Sequence, residues 1–164
     1  MAAGAFDPLA IIAALDGRDV DYVIIGGVAA RLHGSPALTE DLDATPERSP
    51  DNLARLANAL ADLNARLAAP GVPEGLALPL DADTFSSPVM TFTTTAGAID
   101  IVLDPPPGGG FEVLRQNAVR FVVGDIEVLA ASLDDIITSK RASGRPKDLA
   151  HLQLLEQLKS EVEP

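Results

Sequence analysis

Two aspartates separated by one residue, Asp41 and Asp43, follow closely after an apolar run that ends in two glycines. The run Val20–Ile25 is almost wholly apolar and contains β-branched residues, so it predicts a buried strand. Gly26 and Gly27 allow a tight turn, after which the sequence suits a short helix. Because alternate residues of a strand face the same way, both carboxylates would share one face of a second strand.

A third acid, Asp100, lies in a separate strand-like run, Ala98–Leu103. If its strand is adjacent to that of Asp41 and Asp43, three carboxylates can converge. Three buried carboxylates without a cation would repel one another and raise each other's pKa. A divalent cation removes this repulsion, and Mg²⁺ fits best because it favours carboxylate oxygens together with substrate phosphates. The three acids therefore predict an Mg²⁺-dependent enzyme that handles a nucleoside triphosphate (NTP).

The length of 164 residues predicts a single domain, residues 1–164, with a core of its own. The chain has no cysteine, which excludes disulfides, thiolate metal sites and a cysteine nucleophile. The first residues lack a basic segment followed by a long apolar run, so we expect no signal peptide. No window is apolar for long enough to span a bilayer, and we therefore expect a cytoplasmic protein without a membrane partner.

The net charge of −12 argues against broad binding to nucleic acid, whose affinity for proteins comes largely from phosphate neutralisation. Positive charge is nevertheless concentrated in one segment near the C-terminus, which contains Lys140, Arg141, Arg145 and Lys147. Such a cluster could contact phosphates even on an acidic protein. It could equally be a solvated helix face.

Helical periodicity and capping residues predict several helices. They are expected at residues 8–15, at 28–32, from Pro50 to about 68 with Ser49 as N-cap, at 111–117, from Ser132 through Arg141, and from Pro146 to about 160. Strands are expected at Val20–Ile25, Asp41–Ala44, Val89–Thr95, Ala98–Leu103, Val119–Val123 and Ile126–Ala130, the last four as two hairpins. The proline- and glycine-rich stretches 70–79 and 105–110 are predicted to be loops.

Residues 26–34 (Gly-Gly-Val-Ala-Ala-Arg-Leu-His-Gly) and the following Thr39-Glu-Asp41-Leu-Asp43 resemble the signature of the DNA polymerase β-like nucleotidyltransferase superfamily. The form is that of its small bacterial branch, which includes AbiEii-like toxins and minimal nucleotidyltransferases. Residues 139–149 also look like the C-terminal motif of that branch. The resemblance covers roughly residues 20–155 and implies an α/β (α+β) fold, in which helices flank a mixed β-sheet and the C-terminus is helical.

The resemblance also implies roles for individual residues. The metal ligands and catalytic residues would be Asp41, Asp43 and Asp100. The triphosphate would lie beside Gly26, Gly27, Thr39, Lys140, Arg145 and Asp148. Asp148 could instead merely pair with an arginine or cap a helix. Members of the superfamily move a nucleoside monophosphate from an NTP to a hydroxyl or phosphate and release pyrophosphate.

Three functional interpretations remain open. The first is an active transferase that modifies tRNA, a protein side chain or a small molecule, in a toxin–antitoxin or phage-defence module with a cognate partner. The second is an inactive nucleotide- or partner-binding module, because Ala37 replaces an arginine of related sequences and Gly-Gly replaces the Gly-Ser of many active transferases. The third is an antibiotic-modifying transferase, a class that usually has a further helical acceptor domain, for which little chain remains.

Overall fold

The computed structural model describes residues 4–162, in which eight strands form one mixed sheet. In chain order the strands are β1 (Tyr22–Ile25), β2 (Asp41–Pro46), β3 (Arg66–Ala69), β4 (Val72–Leu76), β5 (Val89–Thr94), β6 (Gly97–Val102), β7 (Val119–Val123) and β8 (Ile126–Ala130). Their spatial order is β4-β3-β5-β6-β2-β1-β8-β7. The pairs β2–β6 and β1–β8 are parallel, and the other neighbours are antiparallel.

Six α-helices of the described range flank the sheet: α1 (Pro8–Gly17), α2 (Gly26–Leu32), α3 (Pro50–Asp62), α4 (Gly110–Asn117), α5 (Leu133–Ser143) and α6 (Pro146–Val162). Side-chain caps begin three of them, since Asp7, Ser49 and Ser132 each accept a hydrogen bond from a backbone N–H of the first turn. Gly144, with φ of 62°, ends α5, and α6 packs against α5. Among these helices, none combines the length and the apolar character needed to cross a membrane.

In β2 and β6, the buried aliphatic side chains lie on one side of the sheet. Leu42 and Ile99 are fully buried, whereas Asp41, Asp43 and Asp100, their neighbours in the chain, remain partly exposed on the other side. This alternation follows from the two-residue period of a strand. Burial of the aliphatic side chains therefore fixes which side of the sheet carries the acids.

The predicted α/β (α+β) fold with a mixed sheet and a helical C-terminus is confirmed, as are both hairpins. The helix predicted from Pro50 to about residue 68 is wrong at its end, because it stops at Asp62. Asn64 has φ of 53°, a left-handed conformation that an α-helix cannot continue through. The chain then enters β3, so Leu67, which continues the helical spacing of the leucines, lies in a strand.

The prediction of a loop at residues 70–79 is also wrong, because β4 lies within it. Gly71, with φ of 75°, lies in the turn between β3 and β4. Gly75 also has a positive φ, of 74°, and a Cβ there would lie 3.0 Å from the carbonyl oxygen of Leu67 on the paired strand. Here the glycines belong to a hairpin, which composition alone does not distinguish from a loop.

Candidate metal and nucleotide site

The three aspartates meet on one side of the sheet. Asp43 of β2 is the register partner of Asp100 of the parallel strand β6, and Asp41 lies one strand period earlier on the same side. One carboxylate oxygen from each residue lies within 4.8 Å of the others. The parallel pairing of β2 with β6, which are far apart in sequence, thus brings the three acids together.

The electrostatics of this cluster favour a bound cation. Burial and the negative charge of Asp41 raise the pKa of Asp43 from 3.8 to about 8. Burial, followed by the charge of Asp100, also raises the pKa of Asp41. Within the described residues, Asp43 Oδ1 is buried without a hydrogen-bond partner. A divalent cation would supply both the missing partner and the missing positive charge, so the donor set fits Mg²⁺.

The two glycines lie directly against this cluster. A Cβ at position 26 would stand 2.2 Å from Asp43 Oδ2, and Gly26 has φ of 64°. A Cβ at position 27 would stand 2.7 Å from Thr39 Oγ1. Both positions therefore require glycine for close packing beside the acids. The predicted helix start at Val28 is corrected, because α2 already begins at Gly26.

Thr39 lies next to Asp41 and supports it. Its hydroxyl lies 3.1 Å from the backbone oxygen of Asp41 and 3.4 Å from Asp41 Oδ1. The hydroxyl group is therefore oriented toward the acid. Its hydrogen bond lowers the pKa of Asp41, but the larger effects of burial and of Asp100 raise that pKa. Thr39 also lines the cavity described below, as its predicted position beside a nucleotide requires.

A basic wall, formed by Lys140, Arg145 and Lys147, faces the acids. Asp148, which is only 1% exposed, accepts hydrogen bonds from Lys140 Nζ at 3.0 Å and from Arg145 Nε at 2.6 Å. Burial alone would raise the pKa of Asp148, but hydrogen bonds from Ser143, Lys140 and Arg145 hold it well below its ordinary value. Asp148 therefore stays ionised and orients two cations of the wall.

The wall is close enough to affect the acids. The charge of Lys140 lowers the pKa of Asp43, and the charge of Lys147 lowers the pKa of Asp41. In both cases burial and the neighbouring acids raise the pKa by more. Acids and bases therefore face each other across a cleft. A polyphosphate with its cation would place charge of the correct sign against both sides.

Acids and basic wall line one cavity of about 990 Å³, at the upper end of the range for small-molecule sites. The lysines and arginines that line it are those of the basic wall. A separate part of the lining is mainly apolar and includes Pro88, Val89, Val102 and Pro106, with Asp104 beyond the end of β6. We call this part the apolar wall.

Several polar residues near the site were not predicted from the sequence, among them Thr91 and His151. Thr91 of β5 is the antiparallel partner of Asp100 and donates a hydrogen bond to it. His151 lines the cavity, and its Nε2 lies 3.0 Å from Ser35 Oγ. The predicted hairpin could have indicated Thr91, because the turn position sets which residues pair across it. No sequence pattern indicated His151.

No protein-family model matches the chain, and no curated protein matches it. Among solved structures, its fold is similar to that of LnuA, a lincosamide antibiotic adenylyltransferase bound to lincomycin. The TM-score is 0.62 at 14% identity, over 94% of this chain and 99% of LnuA. It is also similar to ANT(2″)-Ia in complex with adenylyl-2″-tobramycin. Here the TM-score is 0.58 at 17% identity, over 93% of this chain and 91% of the other.

These likenesses establish a nucleotidyltransferase-like fold. They also bear on chain length, since the alignment covers nearly all of LnuA. The small amount of remaining chain is therefore no argument against the third interpretation.

Proposed function

We propose that this protein is an Mg²⁺-dependent nucleotidyltransferase that moves a nucleoside monophosphate from an NTP to a hydroxyl group of a small molecule. The observation that carries the proposal is the meeting of Asp41, Asp43 and Asp100 opposite the basic wall in one cavity. The similar folds of two antibiotic-modifying proteins support it.

The acids would act at the α-phosphorus of the NTP. The acceptor oxygen forms a bond to that phosphorus as the bond to the departing pyrophosphate oxygen breaks, and Asp100 accepts the acceptor's proton. Mg²⁺ held by the three carboxylates would stabilise the charge that develops on the phosphate oxygens. Asp41 and Asp43 would hold it, and the paired strands β2 and β6 would keep the three acids in place during the reaction.

The basic wall would neutralise the β- and γ-phosphates. Lys140 is only 17% exposed and Asp148 fixes its ammonium group, so little side-chain entropy is lost on contact with phosphate. Gly26 and Gly27 leave room for the triphosphate because neither carries a Cβ. Ala37 supplies no charge, and in this proposal the wall replaces the arginine that related sequences carry at that position.

Changing Lys140 to methionine should raise the KM for the NTP about 10-fold, because a charged hydrogen bond to phosphate contributes roughly 1.5–3 kcal/mol. The variant should remain folded, since Asp148 retains its bonds from Ser143 and Arg145. Steady-state pyrophosphate release at varied NTP concentration measures the effect. Arg141→Met is the matched control, because the neighbouring Arg141 pairs with Glu156 instead. Equal KM values in the two variants would contradict this role.

The acceptor side favours a small molecule over RNA. Its apolar wall offers Val89, which is 58% exposed, and no basic group that could follow a phosphate backbone. The net charge of −12 adds a further penalty for a polyanion. One oxygen of Asp104 accepts the Gly110 N–H at 3.0 Å, and the carboxylate remains exposed to the cavity. An acceptor with an amine beside an apolar body would suit this wall.

Asp104→Asn should raise the KM for an amine-bearing acceptor about 5- to 10-fold and leave the KM for the NTP within about twofold. The amide oxygen of asparagine can still accept the Gly110 N–H, so the loop is retained. Comparison of an amine-bearing acceptor with its N-acetyl derivative provides the control. Asp104→Asn should use the free amine and its N-acetyl derivative equally well. A continued preference for the free amine would contradict the role of Asp104 in binding it.

The proposal is tested by measuring pyrophosphate release from each NTP with a panel of hydroxyl compounds that includes lincomycin and tobramycin. Labelled NTPs with total RNA and total cell protein test the other acceptors. Label in RNA or protein would favour the toxin or defence role implied by the sequence resemblance. Nucleotide binding without release in any mixture would favour the inactive module.

A further inference from the structure

The carboxylate of Asp100 is held by a residue outside the acidic cluster. Thr91 Oγ1 donates a hydrogen bond to Asp100 Oδ1 at 2.6 Å. The two residues are register partners on β5 and β6, and both are partly buried. This distance lies at the short end of the range for hydrogen bonds donated by hydroxyl groups.

The other threonine on this side of β5 provides a comparison. Thr93, two residues along the strand, lies opposite Ala98. Its hydroxyl group makes a single long contact, at 3.5 Å, with the backbone oxygen of Arg66. A threonine selected only for strand propensity needs no acid partner. The short bond of Thr91 is therefore specific to the position facing Asp100.

The hydrogen bond constrains how the acid can turn. A free aspartate carboxylate rotates broadly about its last side-chain bond. With Oδ1 engaged by Thr91 on one strand, the carboxylate has a defined orientation toward Asp43 on the opposite neighbouring strand. Groups that orient a ligand carboxylate in this way typically contribute 10- to 100-fold to metal affinity or activity.

We infer that Thr91 is a positioning residue, which holds Asp100 in the orientation needed to bind a divalent cation with Asp41 and Asp43. This inference rests on the proposed function. Thr91 itself does not contact the reacting groups.

The test compares Thr91→Val, Thr91→Ser and the matched control Thr93→Val. Binding of Mn²⁺ to nucleotide-free protein, followed by electron paramagnetic resonance, reports the acids without any turnover. Thr91→Val should weaken Mn²⁺ binding about 10-fold and lower kcat by a similar factor, with KM for the NTP within about twofold. Thr91→Ser should restore both, and Thr93→Val should match the wild type. If valine disturbs the fold, as circular dichroism would show, Thr91→Ala gives the same comparison.

The wild type separates failure of this inference from failure of the proposed function. Absence of Mn²⁺ binding and of pyrophosphate release in the wild type would overturn the proposed function. If the wild type binds Mn²⁺ and Thr91→Val binds it equally well, the positioning role is overturned while the proposed function stands. Equal losses in Thr91→Ser and Thr91→Val would also overturn it, because the hydroxyl would not be the group that matters.

Discussion

Replacing Asp100 with asparagine is expected to slow Mg²⁺-dependent pyrophosphate release about 10²- to 10³-fold while leaving the protein folded. The substitution keeps the size of the side chain but removes the negative charge and the ability to accept a proton. Since Asp43 and Asp100 pair across β2 and β6, the backbone geometry of the site should not change. Asp41→Asn should produce a loss of the same order, because it removes a carboxylate from the same cluster.

The measurement is single-turnover pyrophosphate release at saturating Mg²⁺ and NTP, with the acceptor identified by the panel described above. Glu74→Gln is the matched control, since it removes one negative charge from an exposed position on the edge strand β4, outside the lining of the cavity. Circular dichroism verifies the fold of each variant. Activity of Asp100→Asn within threefold of Glu74→Gln would remove the basis of the proposed chemistry.

Asp43→Asn should stabilise the metal-free protein. The pKa of Asp43 is raised to about 8 by burial and by neighbouring acids, so its ionised form is unfavourable in the folded state at pH 7. The amide removes this penalty. We expect a gain of about 2 kcal/mol in the free energy of unfolding. This is less than the difference between the pKa values of 3.8 and about 8 implies, because water still reaches part of the site. Mg²⁺ should stabilise the wild type but not the variant.

The pH dependence of this effect has a definite sign. Between pH 4 and pH 8 the folded wild type binds more protons at Asp43 than the unfolded chain does, so its stability falls as pH rises. The advantage of Asp43→Asn in EDTA should therefore be absent below pH 4 and grow toward pH 8. Urea unfolding of both proteins across this range measures it, with Glu74→Gln as control. A destabilised Asp43→Asn in EDTA would contradict the electrostatic account.

Sequence patterns predicted the parts of the fold that depend on local chemistry. The two-residue spacing of Asp41 and Asp43 indicates their common orientation, because strand geometry is regular. The turn residues Gly124 and Asp125 indicate the last hairpin, whose strands are as predicted. Ser49 and Ser132 indicate where two helices begin.

Features that depend on tertiary contacts could not be predicted in this way. The leucine spacing beyond Asp62 fits a helix, but Asn64 adopts a left-handed conformation and Leu67 joins the sheet through β5. The adjacency of β2 and β6, which brings Asp100 to Asp43, is a matter of strand order rather than of local sequence. It was supplied by the resemblance to a known superfamily and not by periodicity.

The parallel pairing of β2 with β6 has a consequence for selectivity. The Cα separation of Asp43 and Asp100 is set by interstrand backbone hydrogen bonds, so only their side chains can adjust to cations of different radius. The basic wall, in contrast, lies outside the sheet, with Lys140 on α5, Lys147 on α6 and Arg145 in the segment between them. In the proposed function, selection among cations therefore rests on a framework of paired strands, whereas tolerance for different phosphate chain lengths rests on residues outside the sheet.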